Sequence, residues 1–180
     1  MPVIVAVIVA IDRFILERIF TPPAHWCERR FGITNLQLAR GFVHLGAGAM
    51  LLAGGILTWD EGVGLFLPLV FVAIILPGTM LLKALKVLDA YYDANPEALP
   101  PENLGSQGAG ARMFLVVSAL LLLNLSVHAT YEPKDDLGAF YWWSYSFGYV
   151  LFVISFYLMS VRRPPPQREE RQAPALLSAI

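Results

Sequence analysis

Residues 34–59 have the sequence TNLQLARGFVHLGAGAMLLAGGILTW, which carries no charge beyond Arg40. At a rise of about 1.5 Å per residue, the uncharged part spans roughly 28 Å, which matches the hydrocarbon core of a bilayer. Thr34 followed by Gln37 has the spacing of a capping box, and Trp59 is a typical residue for the far interface. The stretch predicts a membrane-spanning helix that begins shortly before the bilayer.

Small residues recur along this predicted helix. Gly41, Gly48 and Gly55 lie seven residues apart. Lipid offers little hydrophobic drive for helices to associate, so close backbone approach through small residues supplies much of the packing. We therefore predict that these glycines form a helix-packing face and that the other helices pack against this span.

The composition indicates an integral membrane protein. Of the 180 residues, 57% are hydrophobic and 15% are charged, with a mean hydropathy of +0.59, whereas soluble domains carry about 25% charged residues. The net charge of −1 and the lack of a basic stripe predict that the chain does not bind nucleic acid. Cys27 is the single cysteine, which excludes an intrachain disulfide and a cysteine-based metal cluster.

Three further uncharged stretches predict three more spans. The four predicted spans are residues 41–59, 63–82, 113–131 and 140–161, within a four-helix bundle over residues 34–161. Pro68 and Pro77 predict a bend in the second span, because each proline removes a backbone hydrogen bond. The predicted fold is all-α and integral to the membrane, with four transmembrane helices running up-down-up-down and an interfacial amphipathic helix at the N-terminus.

Two segments outside the spans have the composition of connections. The second helix is expected to continue on the aqueous side through Lys83 and Lys86 to about Tyr92. Residues 93–112 are rich in proline, glycine, asparagine and serine and predict a loop. Residues 162–180 begin with a proline-rich run and predict a tail without regular structure.

Residues 1–33 predict a different kind of segment. Residues 3–20 are apolar at first and then amphipathic, and spanning would bring Asp12 and Arg13 near the bilayer centre at a cost of about 2.5–3.5 kcal/mol each. We therefore predict an interfacial helix, either lying in the membrane surface or packed against a partner's helix. The two prolines after Thr21 are expected to end this helix, and a short polar link is expected to follow.

The positive charges predict the orientation. With four spans, twelve of the thirteen Lys and Arg residues fall on the side that holds both termini and the 93–112 loop, and Lys134 alone falls on the other. Cytoplasmic loops carry an excess of these residues. We therefore predict that both termini lie in the cytoplasm and that the protein resides in the inner membrane of a bacterium.

Two histidines lie within predicted spans. His44 shares a helix face with Gly41 and Gly48, where a neutral imidazole could ligate the iron of haem or the magnesium of (bacterio)chlorophyll. The alternative is a hydrogen bond across a helix interface. His128 lies at the other end of the third span, with Asn124 one turn before it. About 15–20 Å of depth separates the two histidines, so one haem cannot take both.

Aromatic residues open the fourth span. Tyr141, Trp142 and Trp143, with Trp59, predict a belt that anchors the bundle at the outer interface. The alternative is a flat surface for a quinone, a lipid tail or a pigment such as a carotenoid. The same helix carries a set of small residues that predicts a second packing face: Ser144, Gly148 and Ser155.

Other candidate ligands are few. His25 and Cys27 have no companions nearby, whereas a zinc site needs three or four ligands, so no metal site is predicted. A group of acidic residues on the outer side could bind calcium or dock a basic soluble protein: Asp60, Glu61, Asp135 and Asp136.

The uncharged spans limit the function. Between the predicted span ends there is no Asp, Glu, Lys or Arg, whereas proton relays and ion-coupled transporters need such groups at depth. No pattern predicts a catalytic set, so the chain is not expected to be an enzyme. The first hypothesis is a non-catalytic accessory subunit of a larger energy-converting complex, respiratory or photosynthetic, in contact with other integral membrane subunits. The second is a haem- or (bacterio)chlorophyll-binding electron-transfer or light-harvesting subunit that uses His44, and the third is a small transporter.

Overall fold

A computed structural model describes residues 2–60, 67–95, 108–131 and 136–162, and the side chains at positions 2, 57–60, 67–71, 73 and 136–137 lie outside this description. Within these ranges every element is helical: α1 (Pro2–Phe14), a π-helical segment (Ile15–Phe20), α2 (Thr21–Phe31), α3 (Asn35–Asp60), α4 (Leu67–Ala94), α5 (Ala109–Tyr131) and α6 (Asp136–Ser160). The all-α prediction is confirmed for these residues.

Three of the helices contain a stretch that is long and apolar enough to cross a membrane: Asn35–Ile56, Ala109–Tyr131 and Gly138–Ser160. They overlap the first, third and fourth predicted spans. The second predicted span falls on α4. This helix continues to Ala94, slightly beyond Tyr92, where the helix was expected to end. Several predicted features fall outside the described residues: the start of the second span at 63–66, most of the loop at 96–107 and the tail at 163–180. The fold therefore supports a membrane protein with three candidate spanning helices.

α3 and α6 form the centre of the bundle. They run antiparallel, because the start of α3 meets the end of α6: the side chain of Asn35 donates hydrogen bonds to the carbonyls of Leu158 and Val161 at 2.9 and 2.8 Å. α4 packs against α3, and α5 packs against α6. The four helices therefore follow the order α4, α3, α6, α5, with a cleft lined by all four of them.

The two central helices approach most closely where Gly46 faces Gly148. A Cβ atom added to Gly46 would lie 2.8 Å from the carbonyl oxygen of Gly148, and one added to Gly148 would lie 2.7 Å from the carbonyl oxygen of Gly46. Only glycine permits this backbone contact. Gly148 belongs to the predicted packing face on α6, whereas Gly46 is not part of the glycine series predicted to pack on α3.

The start of α3 has the predicted capping box. The backbone N–H of Gln37 donates to the hydroxyl of Thr34 at 3.2 Å, and the backbone N–H of Thr34 donates to Gln37 Oε1 at 3.1 Å. The two bonds satisfy backbone donors that have no partner within the helix. The prediction that a helix begins here is confirmed, because α3 starts at Asn35.

The N-terminal segment differs from the prediction. α1, the π-helical segment and α2 form one continuous helix from Pro2 to Phe31, which we call the N-terminal helix. The prediction that the two prolines after Thr21 end this helix is wrong, because they directly follow the π-helical segment and the helix continues past them to Phe31. The helix ends instead at Gly32, whose φ of 69° is the left-handed conformation typical of a helix C-terminus. Most of the expected polar link is therefore helical.

The π-helical segment precedes the prolines and changes which residues share a face. Thr21 donates from its backbone N–H and from its hydroxyl (2.8 Å) to the carbonyl of Leu16, five residues earlier. The bundle is contacted by four residues that lie four positions apart: Asp12, Leu16, Phe20 and Ala24. In a regular α-helix, the direction of the last side chain would be rotated by about 120° from that of the first. One additional residue in a π turn offsets about 100° of that rotation. The widened turn therefore keeps the four residues on one face.

The N-terminal helix crosses one end of the bundle. α1 contacts α5, the π-helical segment contacts α6, and α2 contacts α3. This is the end at which α3 and α5 begin and α6 finishes. The crossing brings residues from the first turns of the chain to residues more than a hundred positions later.

Candidate functional site

A group of polar residues lies buried where the N-terminal helix crosses the bundle. Arg112, in the first turn of α5, donates from Nε and Nη2 to the two carboxylate oxygens of Asp12 at 2.9 and 2.5 Å. Tyr157 donates its hydroxyl to Asp12 Oδ1 at 3.0 Å, and Arg112 Nη1 donates to the hydroxyl of Ser160 at 3.0 Å. We call these four residues the polar cluster.

The polar cluster is closed to solvent. Asp12 is 2% exposed and Arg112 is 4% exposed. The guanidinium also lies 5.7 Å from the centroid of the Tyr157 ring, within the range of a cation–π contact. Phe20 stacks on the same ring, with centroids 4.8 Å apart. Because both carboxylate oxygens are bonded and the opposite charge is adjacent, the arrangement is suited to holding helices together.

The buried pair corrects one prediction. Asp12 was expected at the membrane surface, because the N-terminal helix was predicted to be interfacial, and it instead points into the bundle. Arg112 lies one residue before the predicted third span, so the predicted spans still hold no Asp, Glu, Lys or Arg, but it falls within the candidate span Ala109–Tyr131 and is buried. The two charges can be buried because each is the partner of the other and further hydrogen bonds compensate for their lost hydration.

A second ion pair links the first and second helices of the bundle. Arg40 Nη2 lies 2.8 Å from Asp89 Oδ2, and both side chains are partly buried. Arg40 was predicted to mark the start of the apolar run, and Asp89 was predicted to lie on the continuation of the second helix. The pair joins α3 to α4 at the same end of the bundle as the polar cluster.

His44 lies on an exposed face of α3. Its Nδ1 lies 2.7 Å from the carbonyl oxygen of Arg40, and a carbonyl can only accept, so Nδ1 carries the proton and Nε2 keeps its lone pair. Nε2 makes no hydrogen bond within the part of the chain that the structure describes. A Cβ atom added to Gly41 or Gly48 would have no atom within 4 Å, so the space beside the imidazole is open. This geometry leaves a nitrogen ligand directed away from the bundle.

The residues of the two predicted packing faces, on α3 and α6, differ in how closely they are packed. A Cβ atom added to Gly55 also has no atom within 4 Å, as at Gly41 and Gly48, so another side chain would find space at each glycine of the series. Ser155 is buried and donates to the carbonyl of Phe152 at 2.7 Å, whereas Ser144 is partly buried. The glycine series therefore leaves open space on α3, whereas Ser155 is packed.

A serine contact that the sequence did not predict joins α5 to α6. Ser126 Oγ lies 2.7 Å from Ser146 Oγ and 2.9 Å from the carbonyl oxygen of Trp142. Ser126 and Ser146 are fully buried. Ser126 lies between Asn124 and His128 in the sequence, but these two residues are both exposed and lie away from the contact with α6.

The predicted aromatic belt lies at the start of α6. Tyr141 and Trp142 are partly buried and meet edge to face, with centroids 5.3 Å apart. Trp143 is exposed, and its Nε1 donates to the hydroxyl of Thr130 at 2.9 Å. The side chains of Trp59, Asp60 and Asp136 lie outside the description of the structure. Glu61 and Asp135, the other two members of the predicted acidic group, lie outside the described residues.

An apolar cavity of about 410 Å³ lies between the helices, and we call it the aromatic cleft. Five aromatic residues of α6 form one wall: Tyr141, Tyr145, Tyr149, Phe152 and Phe156. The other helices contribute Met50 and Gly54 from α3, Ile74 and Pro77 from α4, and Leu115 from α5. The sequence contained a signal for this wall, because the five aromatics follow one another at helical spacings of four, four, three and four.

Metal-ligating residues do not gather in the described part of the chain. No group of three or more His, Cys, Asp or Glu side chains lies close enough to hold an ion in those ranges. His25 Nε2 lies 2.8 Å from the carbonyl oxygen of Arg162, and Cys27 is a free thiol. The imidazole of His25 thus contacts the end of the bundle rather than the neighbouring thiol.

Comparisons of the chain with protein-family models, with curated proteins and with solved structures find no match to any of them.

Proposed function

We propose that the chain is a non-catalytic accessory subunit of a larger membrane protein complex, of an energy-converting kind and bacterial in origin. Its buried charges are engaged in holding the N-terminal helix to the bundle, which supports a structural role. The proposal includes four spans with both termini in the cytoplasm. The distribution of Lys and Arg supports this orientation, since twelve of the thirteen lie on one predicted side.

The observation that carries the proposal is the open face of α3. α3 contacts α2, α4 and α6, and together with α6 it forms the centre of the bundle. One of its faces nevertheless stays open at Gly41, His44 and Gly48. Glycines let another helix approach closely in lipid, where apolar side chains alone give little drive for association. A helix of a neighbouring subunit fits this face.

Purification in mild detergent from the native membrane tests the proposal. We expect other integral membrane chains to co-purify with the wild type, and a Gly48→Leu variant to lose them because the added side chain fills the open face. Gly110→Leu is the matched control, since a Cβ atom at Gly110 in α5 also has no atom within 4 Å. A chain that purifies alone and turns over a substrate would contradict the accessory role.

A second candidate function is favoured by the tautomer of His44. Nδ1 donates its proton to the carbonyl of Arg40, so the lone pair of Nε2 could ligate haem iron or the magnesium of a (bacterio)chlorophyll. In this alternative the chain is an electron-transfer or light-harvesting subunit. A Soret or near-infrared band in the purified protein that disappears in His44→Ala and persists in His128→Ala would favour it over the purely structural role.

A further inference from the structure

The wall of the aromatic cleft changes in polarity along α6. Three tyrosines line the half nearer the start of the helix, and Phe152 and Phe156 line the other half. From Tyr141 to Phe156 the wall extends about 22 Å at 1.5 Å per residue. The ring planes of Tyr141 and Tyr145 are inclined by 26°, with centroids 6.2 Å apart. The cleft is therefore elongated, with hydroxyl groups at one end only.

The tyrosine hydroxyls of the cleft are available for a ligand. Within the described part of the chain, no hydrogen bond involves the hydroxyl of Tyr141, Tyr145 or Tyr149, whereas Tyr157 on the same helix donates to Asp12. A hydroxyl in an apolar cleft costs free energy if a bound molecule excludes water from it and offers no hydrogen-bond partner. An acceptor atom on a molecule inside the cleft would remove this cost.

The charge of the lining restricts the class of ligand. Among the residues that the structure describes, none of those that line the cleft is charged. A phosphate or carboxylate head group would find no cation there, whereas a neutral head group with carbonyl oxygens would meet hydroxyl donors. The volume of about 410 Å³ lies in the range of small-molecule sites, about 300–1,000 Å³.

We propose that the aromatic cleft binds a quinone-type isoprenoid lipid, a neutral planar ring that bears carbonyl groups and an unsaturated apolar tail. The ring lies among Tyr141, Tyr145 and Tyr149 and accepts hydrogen bonds from their hydroxyls. The tail follows Phe152 and Phe156. Aromatic side chains suit both parts of such a molecule, because their faces stack on a planar ring and pack against an unsaturated chain.

This inference goes beyond the accessory role and does not rest on it. Quinone binding is measured on the isolated chain, and the accessory role is measured by co-purification, so either can fail without the other. His44 does not line the cleft, so the two candidate ligand sites are also separable by mutation.

The test uses the full chain in nanodiscs of phosphatidylcholine, titrated with a benzoquinone that carries a short isoprenoid tail. We expect saturable quenching of the intrinsic Tyr and Trp fluorescence. Tyr145→Phe and Tyr149→Phe, which keep the rings and remove the hydroxyls, are each expected to weaken binding about two- to tenfold, the worth of one hydrogen bond. Tyr131→Phe is the matched control, because Tyr131 is exposed at the end of α5, and it is expected to bind as the wild type does.

A variant that fills the cleft provides a second, independent test of binding. Ile74→Trp adds a large side chain to the α4 wall and is expected to abolish saturable quenching while circular dichroism and size-exclusion profiles stay unchanged. If Ile74→Trp does not fold, the double variant Tyr145→Phe/Tyr149→Phe decides. Unchanged affinity in the double variant would overturn the proposal. Equal competition by an isoprenoid alcohol that lacks the quinone ring would also overturn it, because the cleft would then accept any tail.

Discussion

The polar cluster and the aromatic cleft share one helix, α6, and differ in how their polar groups are used. In the polar cluster, Tyr157 donates to a buried carboxylate that also receives two bonds from Arg112. Tyr149 lies two turns earlier and lines the apolar aromatic cleft, where its hydroxyl makes no hydrogen bond within the described residues. A tyrosine hydroxyl is therefore paired in the polar cluster and unpaired in the aromatic cleft.

The difference has an energetic cause. A buried ion pair is tolerated when each charge has a partner and further hydrogen bonds, so the cluster must be complete to be stable. An apolar cleft imposes no such condition, because removing one wall residue leaves no charge unpaired. Substitutions in the polar cluster should therefore reduce stability, and substitutions in the aromatic cleft should affect binding while the fold persists.

The largest effect on stability is expected for Asp12→Ala. Loss of the carboxylate leaves the buried Arg112 without its counter-charge, and the free energy of unfolding should fall by about 3–5 kcal/mol. Thermal or chemical denaturation in detergent measures the change. Glu17→Ala is the control on the same helix, because its pair with Arg13 is exposed to solvent and its loss should leave the stability almost unchanged.

A double variant sharpens this prediction. Replacing both Asp12 and Arg112 by leucine removes the two charges together, so most of the stability lost in Asp12→Ala should return. A double variant that is less stable than Asp12→Ala would contradict this prediction. It would show that the ion pair stabilises the fold relative to apolar side chains at the same positions.

The next largest effect on stability is expected at the glycine contact between α3 and α6. Gly148→Ala pushes a methyl group against the backbone of Gly46, and overpacking of this kind costs about 1–3 kcal/mol. Gly48→Ala adds the same methyl group where no atom lies within 4 Å, and it should leave stability unchanged or raise it by up to about 1 kcal/mol through helix propensity. Equal destabilisation by both substitutions, measured by thermal denaturation, would show that α3 and α6 do not cross at Gly148.

The smallest effect is expected at the serine contact between α5 and α6. Ser126→Ala removes the hydroxyl that lies 2.7 Å from Ser146, and interhelical hydrogen bonds in membrane proteins contribute about 0.6 kcal/mol on average. Ser118→Ala is the control, because Ser118 donates only within its own helix, to the carbonyl of Phe114. A difference between the two variants in denaturation midpoint is the expected result, and a larger loss in Ser118→Ala would argue against the contact.

Local sequence patterns predicted the features that local physics controls. The capping box at Thr34 and Gln37 was predicted correctly, because its bonds lie within three residues of one another. The apolar stretches in α3, α5 and α6 were predicted because hydrophobic length alone makes a helix a candidate span. The α6 aromatics at helical spacing were also visible in the sequence, and their common wall was missed because the belt interpretation was limited to aromatics at the start of α6.

The pairings across the chain could not be predicted in this way. Asp12 and Arg112 lie a hundred positions apart, and each one alone looks like a residue that should avoid the bundle. The continuation of the N-terminal helix past its prolines depended on a widened turn, which a rule about single prolines does not anticipate. Gly46, rather than the regular glycine series, meets Gly148 because the angle and depth at which two helices cross decide which small residues touch.

The helical, apolar character of this chain follows from its sequence, because it depends on hydrogen bonds and hydrophobic length within each segment. The burial of Asp12, its compensation by Arg112 and the cavity lined by the α6 aromatics arise only when the helices pack. The physical reason is that the cost of burying a charge or a hydroxyl depends on its partner, and the partner is fixed only when distant helices pack.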